Sequence, residues 1–97
     1  MTAIGRATCL PVPSRSGARI SDAIYISGPV GRAMLGFEGH LTHLAAFNRP
    51  LPRIAEGIAL APHVRAMMDV SDGLLLDCWR MAQASGVTFA LDPDAIP

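Results

Sequence analysis

The stretch Met67-Met68-Asp69-Val70-Ser71-Asp72-Gly73-Leu74-Leu75-Leu76-Asp77 decides how this chain is read. An apolar run meets two acids with a valine and a serine between them, passes a glycine and turns apolar again. The residues leading into it, Arg65 to Val70, suit a buried strand. In those that follow, Leu74, Cys78 and Met81 form one helical stripe with Leu75, Trp79 and Ala82 beside it. Gly86 stands where a glycine ends such a helix. The acidic knot therefore falls on a strand-to-helix turn. Side chains alternate along a strand, so Asp69 and Ser71 project to one side, and Asp72 and Gly73 open the helix.

Two readings of that turn stand side by side. Ser and Asp are preferred helix caps, and acids suit the first turn of a helix, which makes a capped helix start the simpler reading of the pattern alone. The same atoms form a set of hard oxygen ligands of the kind Mg²⁺ takes alongside substrate phosphates. Helix N-terminal amides can meet a phosphate oxygen, and Gly73 admits close backbone approach. Asp69 favours the second reading, because it precedes the cap and is not needed for it. A purely structural strand would carry an apolar residue there.

Outward from the knot, Asp22 to Ser27 ("DAIYIS") and Val87 to Asp92 ("VTFALD") have the β-branched and aromatic content of strands. Met34, Phe37, Leu41 and Leu44 recur at helical spacing from Arg32 to about Ala46. Gly36 and Gly39 weaken that helix by about 1 kcal/mol each relative to alanine, which calls for tertiary packing or a close backbone approach. A short helix is expected from Pro52 to Leu60. The order is β-α-α-β-α-β, the pattern of a layered α/β (α+β) sandwich. Residues 1–20, rich in Pro, Ser, Gly and Arg, read as a loop or linker, and residues 21–97 as a partial α/β domain. No internal repeat is present.

The chain has 97 residues, room for one small domain. Hydrophobic residues make up 51%, more than a disordered tail carries. No apolar run approaches the length of a membrane span, and "MTAIGRATCLPVPSRSG" lacks the apolar core of a secretory signal. The formal net charge is zero, and the 8 basic residues are all arginine. They are scattered, which argues against a nucleic-acid partner, and any cationic phosphate clamp has to be arginine. Cys9 and Cys78 are far apart and read as reduced thiols of a cytoplasmic protein. His40 and His43 share a helix spacing without a third metal ligand nearby. Ser14 to Arg19 ("SRSGAR") has the residue types of a phosphate-binding loop, although a solvated loop is the simpler reading of it.

Four segments in one order, "RSGAR" with "DAIYISGPVG", "FNRPLPR", "MMDVSDGLLLD" and "ASGVTFALDPDAIP", resemble the thiamine-monophosphate kinase family, within the superfamily of aminoimidazole ribonucleotide synthetase and selenophosphate synthetase. The resemblance runs from about Gly5 to Pro97, and "DVSDGL" followed by an aspartate is its most specific part. It implies ATP-dependent phosphorylation of thiamine monophosphate to thiamine diphosphate with Mg²⁺. It carries Mg²⁺ ligation onto Asp69 and Asp72, and ATP contacts onto Ser71 and Arg15; no residue is assigned as catalytic. It also implies that the chain is the first part of the family's C-terminal domain, inactive without the N-terminal domain, in a homodimeric cytoplasmic enzyme. One departure is Gly31-Arg32, where the family commonly has Gly-Asp. Two other readings compete. One is a non-catalytic interaction module derived from this domain. The other is an ATP-using relative of the selenophosphate or hydrogenase-maturation type, against which the wording "DVSDGL" weighs.

Overall fold

The computed structural model describes Thr2 and residues 4–97. Its regular structure is helical: α1 (Arg32–Phe37), α2 (Leu44–Asn48), α3 (Ile54–Leu60) and α4 (Leu74–Ser85), with single 3₁₀ turns at Leu41–His43, Ala61–His63 and Pro93–Ala95.

The helix expected from Arg32 to about Ala46 is two helices with a corner between them. Gly39 adopts φ +96°, a left-handed value that stops α1. The His40 N–H bonds the Leu35 carbonyl (3.0 Å) and the Gly39 N–H bonds that of Gly36 (3.2 Å), the paired pattern of a Schellman stop. The chain then folds back, and α2 packs on α1. The Phe37 and Phe47 rings meet at 5.5 Å between centroids. Gly36 makes this possible: a Cβ there would lie 2.4 Å from the His43 carbonyl oxygen. The helical cost of Gly36 is thus the condition for a close backbone approach. In α3 the helix starts at Ile54, two residues after Pro52, and Arg53 pairs with Glu56 at 2.5 Å.

The helix expected after the acidic knot forms as read. It ends at Gly86 (φ +66°) with the same bond pattern as α1, the Val87 N–H to the Ala82 carbonyl (3.1 Å) and the Gly86 N–H to that of Gln83 (3.2 Å).

The three segments read as strands do not pair with one another. Among the described residues the β-type pairing is an isolated parallel bridge between Ser14 and Ala66, with the Met67 N–H on the Ser14 carbonyl (3.2 Å). Among the described residues the layered sheet of the sequence reading is not seen. The physical reason is that β propensity measures how a side chain fits a pleated, half-buried surface, and that surface exists only where a neighbouring strand supplies it. Tyr25, in the first such segment, is 86% exposed. Burial is correspondingly thin: Ala82 is the buried hydrophobic side chain and Asp77 the buried polar one among the described residues.

Candidate functional site: the turn at the start of α4

Gly73 sets the geometry. Its φ of +120° is open to glycine and strained for other residues, and it turns the chain from the extended segment ending at Val70 into α4. No side-chain cap comes from Gly73 itself. The amides of the turn just ahead of the helix are met from inside it. The Asp77 Oδ2 accepts the backbone N–H of both Ser71 and Asp72, each at 3.0 Å. The Arg80 Nη1 donates to Asp77 Oδ1 at 3.0 Å and also pairs with Asp72 Oδ2. Asp77 is 1% exposed although it lies on a helix whose neighbouring side chains are largely open. Burial raises its carboxyl, but the Asp72 amide, the Arg80 guanidinium and the Ser71 amide together hold it below the usual carboxylate range.

This arrangement revises the capping half of the sequence reading. Ser71 and Asp72 are not acceptors that cap α4, which has no side-chain cap; their own amides, ahead of the helix, are tied to Asp77. Their side chains are left on the surface, as is that of Asp69. The structure thus brings Asp69, Ser71 and Asp72 onto one turn. Asp69 carries no ion pair among the described residues, and Asp72 carries one, to Arg80.

Arg15 is held elsewhere. Residues 14–18 lie between the Ala66 bridge and the C-terminal end of α4. The Ser85 hydroxyl donates to the Arg15 carbonyl (2.9 Å) and accepts the Ala18 N–H (3.1 Å). Gly17 permits the docking, since a Cβ on it would sit 2.1 Å from the Arg65 carbonyl oxygen. Ser85 closes α4, which starts at Leu74, so at about 1.5 Å of rise per residue the docked Arg15 backbone lies about 16 Å along the axis from the start of the helix. The Arg15 guanidinium forms no ion pair among the described residues, and the loop is docked by its backbone.

The fit to a divalent metal rests on donor chemistry. Two surface carboxylates on one turn are the number that Mg²⁺ takes from a protein when phosphates complete its shell. Among the described residues no group of three or more His, Cys, Asp or Glu is close enough to form a full protein cage. The turn therefore suits a metal brought in with a phosphate ligand.

Asp77 and Arg80 were missed as site residues by the sequence reading. Asp77 stands at the end of the deciding stretch, and a carboxylate one helical turn past the glycine, followed by an arginine three residues on, is the signal that pointed to them.

Comparison with known proteins finds the chain similar, over most of its own length, to one stretch of thiamine-monophosphate kinases. It is 37% identical over 84 residues to the enzyme of Methanospirillum hungatei, covering 86% of this chain and 29% of the relative. It is 39% identical over 88 residues to that of Halobacterium salinarum (87% and 31%). It is 35% identical over 95 residues to that of Salmonella typhimurium (86% and 29%). The chain spans about three tenths of the length of the curated relatives it matches. No protein-family model matches it, and no solved structure does.

Proposed function

We propose that this chain supplies one wall of the Mg²⁺–ATP site of a thiamine-monophosphate kinase, an enzyme that passes a phosphoryl group from ATP to thiamine monophosphate and yields thiamine diphosphate. The observation that carries the proposal is the turn at residues 69–73. Its backbone is tied down by Asp77, and Asp69, Ser71 and Asp72 are each exposed along it, in a chain whose relatives are named for that reaction.

In this reading Asp69 and Asp72 hold Mg²⁺, and Ser71 and Arg15 contact ATP. The metal, when bound, neutralises phosphate charge during transfer. The chain's own part is positioning. The fixed turn keeps the two carboxylates and the Ser71 hydroxyl at constant spacing, so little reorganisation accompanies nucleotide binding. Arg15 offers the phosphates a planar cationic fork, a role no lysine in this chain can take. The extended segments 22–27, 65–70 and 87–92 supply strands to a layered α/β sheet completed by the rest of a homodimeric cytoplasmic enzyme.

Calorimetric titration of the full chain with Mg²⁺–ATP tests the assignment. Binding that Asp69→Asn and Asp72→Asn each weaken supports it. Binding that both variants leave intact removes the metal roles.

A second reading, an interaction module, draws on the outer face of α4. There Leu75 is 71% and Trp79 59% exposed, a grouping that favours association. Size-exclusion chromatography separates the two: a monodisperse monomer that binds Mg²⁺–ATP speaks for the nucleotide site, and a self-associating chain with no nucleotide affinity for the module.

A further inference from the structure

Among the described residues Asp77 is the most deeply buried side chain, and it is an acid. Neither fact is explained by helix formation alone. A helix of this composition would form with a neutral residue at that position, and a buried carboxylate is retained only where partners compensate it. Here every partner belongs to the turn or to α4 itself. One oxygen takes the amides of Ser71 and Asp72. The other takes Arg80, and Arg80 reaches across to the Asp72 carboxylate. The four groups form a closed circuit of backbone amide, carboxylate, guanidinium and carboxylate.

We propose that Asp77 is the positioning residue of the metal–nucleotide turn, and that it works in two ways. It locks the backbone carrying Ser71 and Asp72, and it holds Arg80 where Arg80 neutralises Asp72 until a divalent cation takes that place. The second half rests on the kinase reading above; the first does not. A lone exposed carboxylate beside Asp69 would repel it. With Arg80 held beside Asp72, the turn carries less net negative charge and keeps its form without a metal. An arriving Mg²⁺–nucleotide then competes with a guanidinium and meets a side chain already in place. Arg80 is tethered by the buried Asp77, so it does not leave the site when displaced from Asp72. It stays within one side-chain length of bound phosphate, as a further cation of the site.

Two measurements on the full chain separate the two halves. The first is amide hydrogen exchange of Ser71 and Asp72, which needs no ligand. Asp77→Ala is expected to speed exchange at these two amides by at least about tenfold while those of Val87 and Gly86, at the far end of α4, keep their rates. Asp77→Asn, whose side-chain oxygen still accepts an N–H, is expected to restore most of the protection. Equal loss along the whole of α4 would make Asp77 a general stability residue and overturn the positioning role, as would unchanged exchange at Ser71 and Asp72. The second is Mn²⁺–ATP affinity, read from the paramagnetic relaxation of water. Asp77→Ala is expected to weaken it at least about tenfold. Asp77→Asn, which keeps the turn but lets go of Arg80, is expected to fall between. Arg80→Met is expected to tighten free Mn²⁺ while weakening Mn²⁺–ATP relative to it. An Arg80→Met chain that takes up free Mn²⁺ no better than the unaltered chain overturns the neutralising role of Arg80. An unaltered chain that takes up no Mn²⁺–ATP overturns the kinase reading and the second half with it, and the exchange data still decide the first half.

Discussion

The two ends of α4 are secured in opposite ways. At its start, the amides of Ser71 and Asp72 are met by Asp77 of the helix, six and five residues further along the chain. At its end, Ser85 bonds Arg15 and Ala18, which stand 70 and 67 positions away in the chain. The first device is complete within residues 71–80 and forms as soon as the helix does. The second needs the closure of a long loop, whose entropic cost comes before any bond rewards it. One helix thus has a self-contained end that presents the acids and a borrowed end that positions the arginine loop.

Variants at the two ends therefore differ in kind, and the largest difference is in nucleotide binding. Asp72→Asn is expected to weaken Mg²⁺–ATP binding by about 10²-fold, the scale on which a preorganised electrostatic partner acts, and the loss vanishes when ATP is titrated without metal. Ser85→Ala removes both bonds to the 14–18 loop. It is expected to weaken ATP by about fivefold, equivalent to about 1 kcal/mol for a lost hydrogen bond, with metal and without. Calorimetry with and without Mg²⁺ reads both. A metal-dependent loss in Ser85→Ala would show that the ends are not separate.

The same contrast explains what was legible in the sequence. α4, its glycine stop and the placing of Asp69, Ser71 and Asp72 on one turn follow from residues close together in the chain. The expected side-chain cap does not form: Ser and Asp before a helix read as acceptors, whereas here their amides donate to a buried carboxylate inside the helix. The break at Gly39 was visible as a weakness in a helix and not as a corner, since its left-handed φ depends on α2 packing back over Gly36. The docking of residues 14–18 on Ser85 was not legible, because no local pattern ties residues 70 positions apart. The segments 22–27, 65–70 and 87–92 read as strands from their composition, yet among the described residues they show no more than the bridge at Ala66, because the partners that make a strand lie outside its own sequence.

Gly17→Ala tests the borrowed end through stability. The added methyl meets a backbone carbonyl at 2.1 Å, and backbone cannot swing aside as a side chain does. Overpacking of this kind costs about 1–3 kcal/mol, so the denaturation midpoint falls and limited proteolysis opens at Arg15 and Arg19. Protection of the Ser71 and Asp72 amides is expected to persist, because nothing at the other end of α4 depends on Gly17.

Acid tests the self-contained end. The Asp77 carboxyl sits below the range of a free aspartate, near 3.9, because the Asp72 amide, Arg80 and the Ser71 amide outweigh its burial. The unfolded chain therefore takes up a proton before the folded one does. Stability from this group is fully present above about pH 4 and is lost as pH falls through the depressed folded value. Thermal unfolding followed downward from neutral pH is expected to show that slope in the unaltered chain and a shallower one in Asp77→Asn. Glu56 is also held low, by its own backbone amide and then by Arg53, but its surface position leaves that contribution small.

The smallest effect is at Cys78, the residue after Asp77. Burial, and then the Asp77 charge beside it, push its thiol up. Since the thiolate is the form that reacts, alkylation of Cys78 at mildly alkaline pH is expected to be slower than that of a free cysteine. Asp77→Asn removes the charge and leaves the burial, so it is expected to recover part of the rate and not all of it. Full recovery would mean that the Asp77 charge alone holds the thiol up, and no recovery that Arg80 already cancels that charge. The extent of recovery in Asp77→Asn, compared with Arg80→Met, where the Asp77 charge is no longer paired and the rate is expected to fall further, therefore measures how tightly the circuit at the start of α4 is closed.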